Sequence, residues 1–398
     1  MKIMHFAIDD KFIPFIQKTF EQALPGCNEY RIPGDPSKPL NFVRPGENVR
    51  VVESPYWISD ALTRELQNYD CLIIHFMTPN FVEGIKRTPD NMLVCWVGWG
   101  GDYYDLIGPY LGNLILPQTQ ALMDKISRRH ALIPQKIMKF VRSPRLIIPL
   151  LKQILHQIHH TQNAGIPDII DRVDLLWVNP EEMSMIEKAL PAFRGVYHRI
   201  CCYSAEEVFS FGPDRMSGPD ILIGNSADAT NNHLELFDML QQLDLGESRL
   251  ITPLSYGNAD YGDTIMRIGQ KQFGHRFIAI RKFMALENYY GAIANCGTVI
   301  MNHIRQQAGT TIATALFKGA KIYLRNENPL MPFYRKMGIR LFSIQDDLLQ
   351  SENPFAPMSS DEIIRHRMIL NRYWSHDVAI SAVLGLKDHV EKKRRAYA

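Results

Sequence analysis

The chain has 398 residues, more than a single hydrophobic core ordinarily organises, so two domains are expected. Hydrophobic residues make up 46% and charged residues 22%, the ordinary balance of a soluble globular enzyme. A net charge of +2 excludes the global basic field that would argue for nucleic acid.

KIMHFAI (2–8) reads as a first strand and residues 11–24 as a helix. VRVVES (49–54), CLIIHFM (71–77), MLVCWVG (92–98), DLLWVN (174–179) and HRICCY (198–203) are further strand candidates. FGPDRMSGPD (211–220) is rich in Gly, Pro and Asp and is the best linker candidate. Beyond it come DILIGNS (220–226), RLITPLSY (249–256), RFIAI (276–280), TVIMNH (298–303) and KIYLRN (321–326). Helical stretches at 231–243, 260–273, 286–295 and 310–318 separate them, and 361–398 reads as charged helix packing back across the domains. Strand–helix alternation on both sides of a linker predicts two Rossmann-like parallel-sheet α/β domains facing a cleft, over 1–215 and 216–360. Ligands of such sheets bind at the carboxyl ends of the strands.

Cys27, Cys71, Cys95, Cys201, Cys202 and Cys296 sit mostly in apolar runs, with no C-x-x-C pair. They read as buried free thiols in a reducing compartment, not as a zinc ribbon. The start MKIMHFAIDD lacks the apolar core of a signal peptide, and no run approaches the ~20 apolar residues of a membrane span. A cytoplasmic protein is expected, able to touch a membrane surface. From Lys125 to His160 there is no Asp or Glu, but Lys125, Arg128, Arg129, Lys136, Lys139, Arg142, Arg145 and Lys152 alternate with apolar residues. Pro134, Pro144 and Pro149 break the stretch into pieces. An apolar face with a cationic rim suits an anionic headgroup layer; the alternative is a core insertion with a solvated basic face. Few aromatics interrupt it, which argues against RNA.

Three motifs can carry chemistry. GNSADATNNH (224–233) follows a strand and precedes a helix, so Gly224, Asn225, Ser226 and Asn231 can present N–H groups to a phosphate or simply cap the turn. RQQAGTTIATAL (305–316) repeats that arrangement, with Arg305, Gln306, Gln307, Gly309, Thr310 and Thr311 as donors to a diphosphate or as plain caps. Asn326, Glu327 and Asn328 follow at a strand end and suit hydroxyl recognition or a turn; Tyr256, Glu287 and Tyr289 lie in the same half. WVGWGGDYYD (96–105) surrounds Asp102 with two Trp and three Gly. Asp102 is a candidate general base or the cap of a tight turn, and Trp99 and Gly100 a candidate acceptor floor. His75 is a second catalytic candidate, or a satisfied core histidine. No D-x-D triplet, P-loop, G-x-S-x-G or H-E-x-x-H occurs, so a metal-free reaction is expected.

Taken together, these residues resemble the 4-acetamido-4,6-dideoxy-D-galactose (Fuc4NAc) transferases of enterobacterial common antigen synthesis, glycosyltransferase family 56. The resemblance rests on Gly224, Asn225, Ser226, Asp228, Asn231 and His233, on Arg305, Gln306, Gln307, Gly309 and Thr310, on N-E-N-P at 326–329, and on Trp99, Gly100 and Asp102. The motifs lie in order along roughly 70–330, with the closer match in the C-terminal half. The resemblance implies a GT-B fold, a dTDP-sugar donor and an undecaprenyl-diphosphate-linked saccharide acceptor at the inner face of a bacterial membrane, in common antigen, O-antigen or capsule assembly. Glu287 is assigned to the nucleotide ribose by fold-level analogy, and Asp102 to proton removal if the reaction inverts the anomeric centre. Rival readings are another sugar-nucleotide enzyme of epimerase type and a non-catalytic scaffold.

Overall fold

A computed structural model describes residues 1–138, 165–200 and 203–397. They form two compact units. Unit 1 takes the described residues of Met1–Tyr110, Thr161–Val208 and Asn371–Ala398, and unit 2 those of Leu111–His160 and Phe209–Leu370.

The strands are β1 (Ile3–Ala7), β2 (Asn28–Pro33), β3 (Val49–Val52), β4 (Cys71–His75), β5 (Leu93–Val97), β6 (Leu175–Trp177), β7 (Val196–Tyr197), β8 (Ile221–Ile223), β9 (Leu250–Pro253), β10 (Phe277–Ile280), β11 (Thr298–Met301), β12 (Lys321–Leu324) and β13 (Phe342–Ser343). The longer helices are α1 (Ile13–Ala23), α2 (Asp60–Leu66), α3 (Pro79–Ile85), α4 (Tyr104–Leu111), α5 (Pro117–Met138), α6 (Met183–Ala189), α7 (His233–Leu240), α8 (Ala259–Phe273), α9 (Leu286–Ala292), α10 (Gly309–Phe317), α11 (Leu330–Lys336), α12 (Ser360–Trp374), α13 (His376–Leu384) and α14 (Leu386–Tyr397).

Unit 1 holds a parallel sheet in the order β3-β2-β1-β4-β5-β6-β7. Its central strands IMHFA, CLIIH and LVCWV are buried at every position, because helices cover both faces of a parallel sheet. α13 and α14 complete this core with Val383, Leu386 and Val390. Unit 2 holds a second parallel sheet in the order β10-β9-β8-β11-β12-β13. Around it, α8 starts where Asn258 accepts the Tyr261 N–H at 2.9 Å and stops at Gly274, whose φ of +60° ends the helix. In both sheets the strand order reverses direction once, between β1 and β4 and between β8 and β11. That is where a doubly wound sheet opens a crevice at its carboxyl edge.

Three expectations need correction. The strand expected at 198–203 lies two residues earlier, at Val196–Tyr197, and only the His198 N–H extends it, to the Leu176 carbonyl at 3.0 Å. The basic stretch was assigned to the first domain, but α5 belongs to unit 2. Ile126 enters the unit 2 core, while Glu235 accepts the N–H groups of Gln118 and Thr119 at 2.8 and 2.9 Å. α5 also runs through Pro134; a proline in a helix removes one backbone hydrogen bond without forcing an end. The C-terminal helices, expected to pack back across the domains, pass from unit 2 to unit 1 after Leu370, with α13 and α14 wholly in unit 1.

Candidate functional site

The carboxyl ends of β8 and β11 gather most of the polar residues singled out in the sequence. β8 ends at Gly224, whose φ is +62°. A Cβ there would lie 2.5 Å from Asn231 Oδ1 and 2.9 Å from His233 Nε2, so only glycine fits. The buried Asn231 organises the turn. Its Oδ1 accepts the Asn225 N–H at 2.9 Å, and its Nδ2 donates to Ser226 Oγ at 3.1 Å and the Asp228 carbonyl at 3.0 Å. His303, the last residue of the 298–303 run, lies 2.8 Å from the same Oδ1. Because that oxygen can only accept, His303 Nε2 carries the proton, and Nδ1 is left buried without a partner. Burial above all, aided by Arg305 and His233, holds the His303 pKa well below the ordinary imidazole value.

A second layer of side chains faces Asn225. Its Oδ1 accepts from Gln307 Nε2 at 2.8 Å, and its Nδ2 donates to the hydroxyl of the exposed Tyr256 at 2.7 Å. Gln307 Oε1 accepts from Arg305 Nε at 3.0 Å and from Thr230 Oγ1 at 2.8 Å. The motifs at 224–233 and 305–311 therefore meet as one hydrogen-bonded group. Beside it α10 begins at Gly309, after Ala308 in the left-handed region (φ +57°), whose own side chain offers no cap. Gly309, Thr310 and Thr311 there are half-buried, as is Gln306. Backbone N–H groups and the positive end of the helix dipole at such a start favour an oxyanion. Arg305, bonded to Thr230 and Gln307, adds a full positive charge to the group.

The remaining candidates of unit 2 divide. Tyr289 is half-buried against Tyr290, with ring centroids 5.5 Å apart, and burial pushes its phenol up. Glu287 is exposed in the first turn of α9. Asn326 is exposed and donates to Asp346 at 2.8 Å, and Glu327 accepts from Arg325 at 2.9 Å. Asn328 does not offer itself to a sugar. It is fully buried, and its Nδ2 is spent on the carbonyls of His303 and Arg305 at 3.0 and 2.9 Å, so it holds the strand end that carries them.

In unit 1 both catalytic candidates are withdrawn from solvent. Asp102 is completely buried. Oδ2 accepts the Met77 N–H at 2.9 Å and Trp96 Nε1 at 2.8 Å, while Oδ1 accepts the Trp99 N–H at 2.8 Å. Burial raises its pKa and these three donors oppose the rise. A carboxylate so enclosed ties the β4 and β5 ends together and is withdrawn from solvent, which is the arrangement of the turn cap and not of an exposed general base. His75 is likewise a core residue. Its Nε2 lies 3.0 Å from His5 Nδ1, the rings stack, and burial drives its pKa far down. Trp99 is half-buried, and Gly100 turns the chain with φ +92°. Arg128 and Arg129 are exposed on α5, which also spans Lys136; Lys139, Arg142 and Arg145 lie outside the described residues.

The sequence reading missed His303 and Thr230, which hold the site together. The position of His303 just past the buried strand β11, one place beyond Asn302, was the available signal. Among the described residues, no group of three or more His, Cys, Asp or Glu side chains stands close enough to hold a metal ion, and no helix is long and apolar enough to cross a membrane.

Residues 204–354 match the family described as 4-alpha-L-fucosyltransferase glycosyl transferase group 56, a range that contains both motifs. Among solved structures, a sucrose-phosphate synthase from Thermosynechococcus elongatus aligns over 100% of this chain and 98% of its own, with a TM-score of 0.54 and 8% identity. Anabaena HepE, in complex with UDP and glucose, aligns over 100% and 98%, with a TM-score of 0.52 and 11% identity. The trehalose-6-phosphate synthase OtsA aligns over 98% and 99%, with a TM-score of 0.57 and 11% identity. At such identities the likeness is one of fold, and that fold is GT-B.

Proposed function

We propose that this chain, whose residues 204–354 match glycosyltransferase group 56, is a glycosyltransferase that moves a Fuc4NAc-type deoxy-amino sugar from a dTDP-linked donor to an undecaprenyl-diphosphate-linked saccharide. The donor site is the carboxyl edge of β8 and β11. The observation that carries this reading is the joining of Gly224–Asn231 and Arg305–Thr311 through Gln307, beside the start of α10.

In this reading the diphosphate lies at the α10 start, where the N–H groups of Gly309, Thr310 and Thr311 and the guanidinium of Arg305 take up the charge that grows as the sugar–oxygen bond breaks. Asn225, Gln307 and Tyr256 turn their hydrogen-bonding groups to the nucleotide and sugar, exchanging bonds to one another for bonds to the ligand. Asn231, His303 and Asn328 stay fixed and keep the loop in shape. Charge neutralisation by these groups makes a divalent cation unnecessary. HepE, of the same fold, binds UDP and glucose, which supports a nucleotide-sugar donor. The acceptor's lipid carrier fits the cations of the 125–160 stretch, of which Lys125, Arg128 and Arg129 are exposed on α5, and these cations support a working position at the inner membrane surface.

A thermal-shift panel of dTDP, UDP, GDP, CMP and ADP, each with and without EDTA, tests the donor. A ligand that binds only the folded state raises the melting temperature with ln(1 + [L]/Kd). A selective, EDTA-insensitive rise with dTDP is expected. A selective rise with another nucleotide replaces the donor, EDTA sensitivity restores a metal, and no rise with any of them overturns the assignment of the β8–β11 edge.

A further inference from the structure

The sheet of unit 1 reverses its strand order between β1 and β4, and the chain around that point carries a different chemistry from its counterpart in unit 2. Four half-buried aromatic rings come together there from four separate segments. Phe12 follows β1, Phe76 follows β4, Trp99 follows β5, and Tyr203 lies beyond β7. The Phe12 ring stands edge-on to Trp99 and stacks on Tyr203, both at 5.9 Å between centroids, and Phe76 meets Trp99 at 6.0 Å. Trp99 and Tyr203 rest on the core of the unit, so the cluster has a fixed floor.

Two features show that the cluster is held in place against local preference. Phe76 has a φ of +68°, a left-handed conformation that an aromatic residue adopts at a steric cost. Gly101 makes room for it, since a Cβ at that position would lie 3.1 Å from the Phe76 ring. Core packing alone does not call for a strained Phe at a strand end whose ring stays partly in solvent.

The rim is polar. Asp9 is committed to structure, because its carboxylate accepts the N–H groups of Asn41, Phe42 and Val43 at 2.6, 2.9 and 2.9 Å. Among the described residues, the half-buried carboxylate of its neighbour Asp10 accepts only the Phe12 N–H, at 2.9 Å on Oδ1. Partial burial raises the Asp10 pKa, as expected of a carboxylate short of donors. Lys11 is exposed, with its ammonium 5.3 Å from the Phe12 ring.

A pyranose ring has an apolar C–H face and a polar edge of hydroxyls. Aromatic rings, with their negative faces, take the first, and an under-used carboxylate takes the second. We propose that Phe12, Phe76, Trp99 and Tyr203, with Asp10 at their rim, form a pyranose-binding platform that takes a sugar ring of the acceptor saccharide. The identity of that sugar as the acceptor rests on the transferase reading; the platform itself does not.

Saturation-transfer NMR on the full chain tests it, with methyl β-glucopyranoside, methyl β-N-acetylglucosaminide and methyl β-glucuronide as probes. Transfer to the ring protons of at least one probe is expected in the wild type, falling about tenfold in Phe12→Ala and Trp99→Ala. Asp10→Asn, nearly isosteric, weakens the same signal with an unchanged melting temperature and serves if the aromatic variants fail to fold. Absence of transfer from the wild type to all three probes overturns the platform, and so does undiminished transfer in the folded variants. The dTDP thermal shift separates the two claims: a shift without pyranoside signal sinks only the platform, and pyranoside signal without a shift sinks only the donor site.

Discussion

Replacing Gly224 by alanine tests whether the β8 loop is the donor site. The residue sits at φ +62°, where an L-side chain costs roughly 1 kcal/mol. The added methyl would stand 2.5 Å from Asn231 Oδ1, and Asn231 cannot yield freely, because that oxygen accepts from both Asn225 and His303. Moving it away forfeits two hydrogen bonds worth about 1 kcal/mol each and strands the buried donors, at about 1–3 kcal/mol more. A total of about 4–6 kcal/mol follows, and for units of this size each kcal/mol lowers the melting temperature by about 2–4 °C. The unit 2 transition, followed by calorimetry, is therefore expected to fall by about 8–24 °C. The stabilisation given by dTDP, about 2.7 kcal/mol at a hundredfold excess over Kd in the wild type, should shrink or vanish with it. A Gly224→Ala protein that melts within about 2 °C of the wild type and keeps its full dTDP response would refute the reasoning.

Asp102→Asn puts an amide where three donors converge on a carboxylate, so at least one donor faces another; a loss of about 2–4 kcal/mol in unit 1 stability is expected by denaturant titration. Unaltered stability with lost turnover would return Asp102 to the chemistry. Burial pushes the His5 and His233 pKa values down to about 3, so the folded state stays neutral while the unfolded chain takes up protons below pH 6.5. Stability is then complete above that value and falls as the pH drops towards 3, by about 1.4 kcal/mol per histidine at pH 5.5; a melting temperature that is flat from pH 7 to 5.5 would show that these rings are not buried neutral. Glu235 holds the start of α5 through Gln118 and Thr119, and its carboxylate also accepts the Thr119 hydroxyl at 2.6 Å. Glu235→Ala should accelerate amide hydrogen exchange at the start of α5 about fivefold or more, and unchanged exchange there would mean that Ile126 and its neighbours suffice to hold the helix.

The apolar strands were legible because parallel strands buried on both faces read as unbroken hydrophobic runs. β2 was not, since NEYRIP carries Asn28 and Arg31. Both are buried and satisfied by partners that an alternating pattern does not reveal: Asn28 by Glu21 and the Leu24 carbonyl, Arg31 by Glu29 and by Glu65 of α2. β13 has two residues, too few for any pattern. In the site, glycine and polar residues after a strand marked the right two loops. What one sequence could not reveal was the direction of each side chain. Asp102 and Asn328 have the residue types of a reacting group and the burial of a structural one, and only the folded chain tells these apart. The aromatic cluster escaped notice because its members lie far apart in the sequence, and only Trp99 stood within a motif.

The chain passes from one unit to the other after Tyr110, His160, Val208 and Leu370. Neither unit is a continuous stretch, so a gene cut in the 211–220 linker yields no intact half. Synthesis from the N-terminus meets the same obstacle. β1 to β7 leave the ribosome well before Val383, Leu386 and Val390, which fill the unit 1 core, and before Lys393 and Arg394, which pair with Asp174 and Asp70. The strands of unit 1 are thus sealed only once the helices after Leu370 have been made, and until then an apolar sheet face stays open. A truncation before Val383 would strip cover from strands made near the start of the chain.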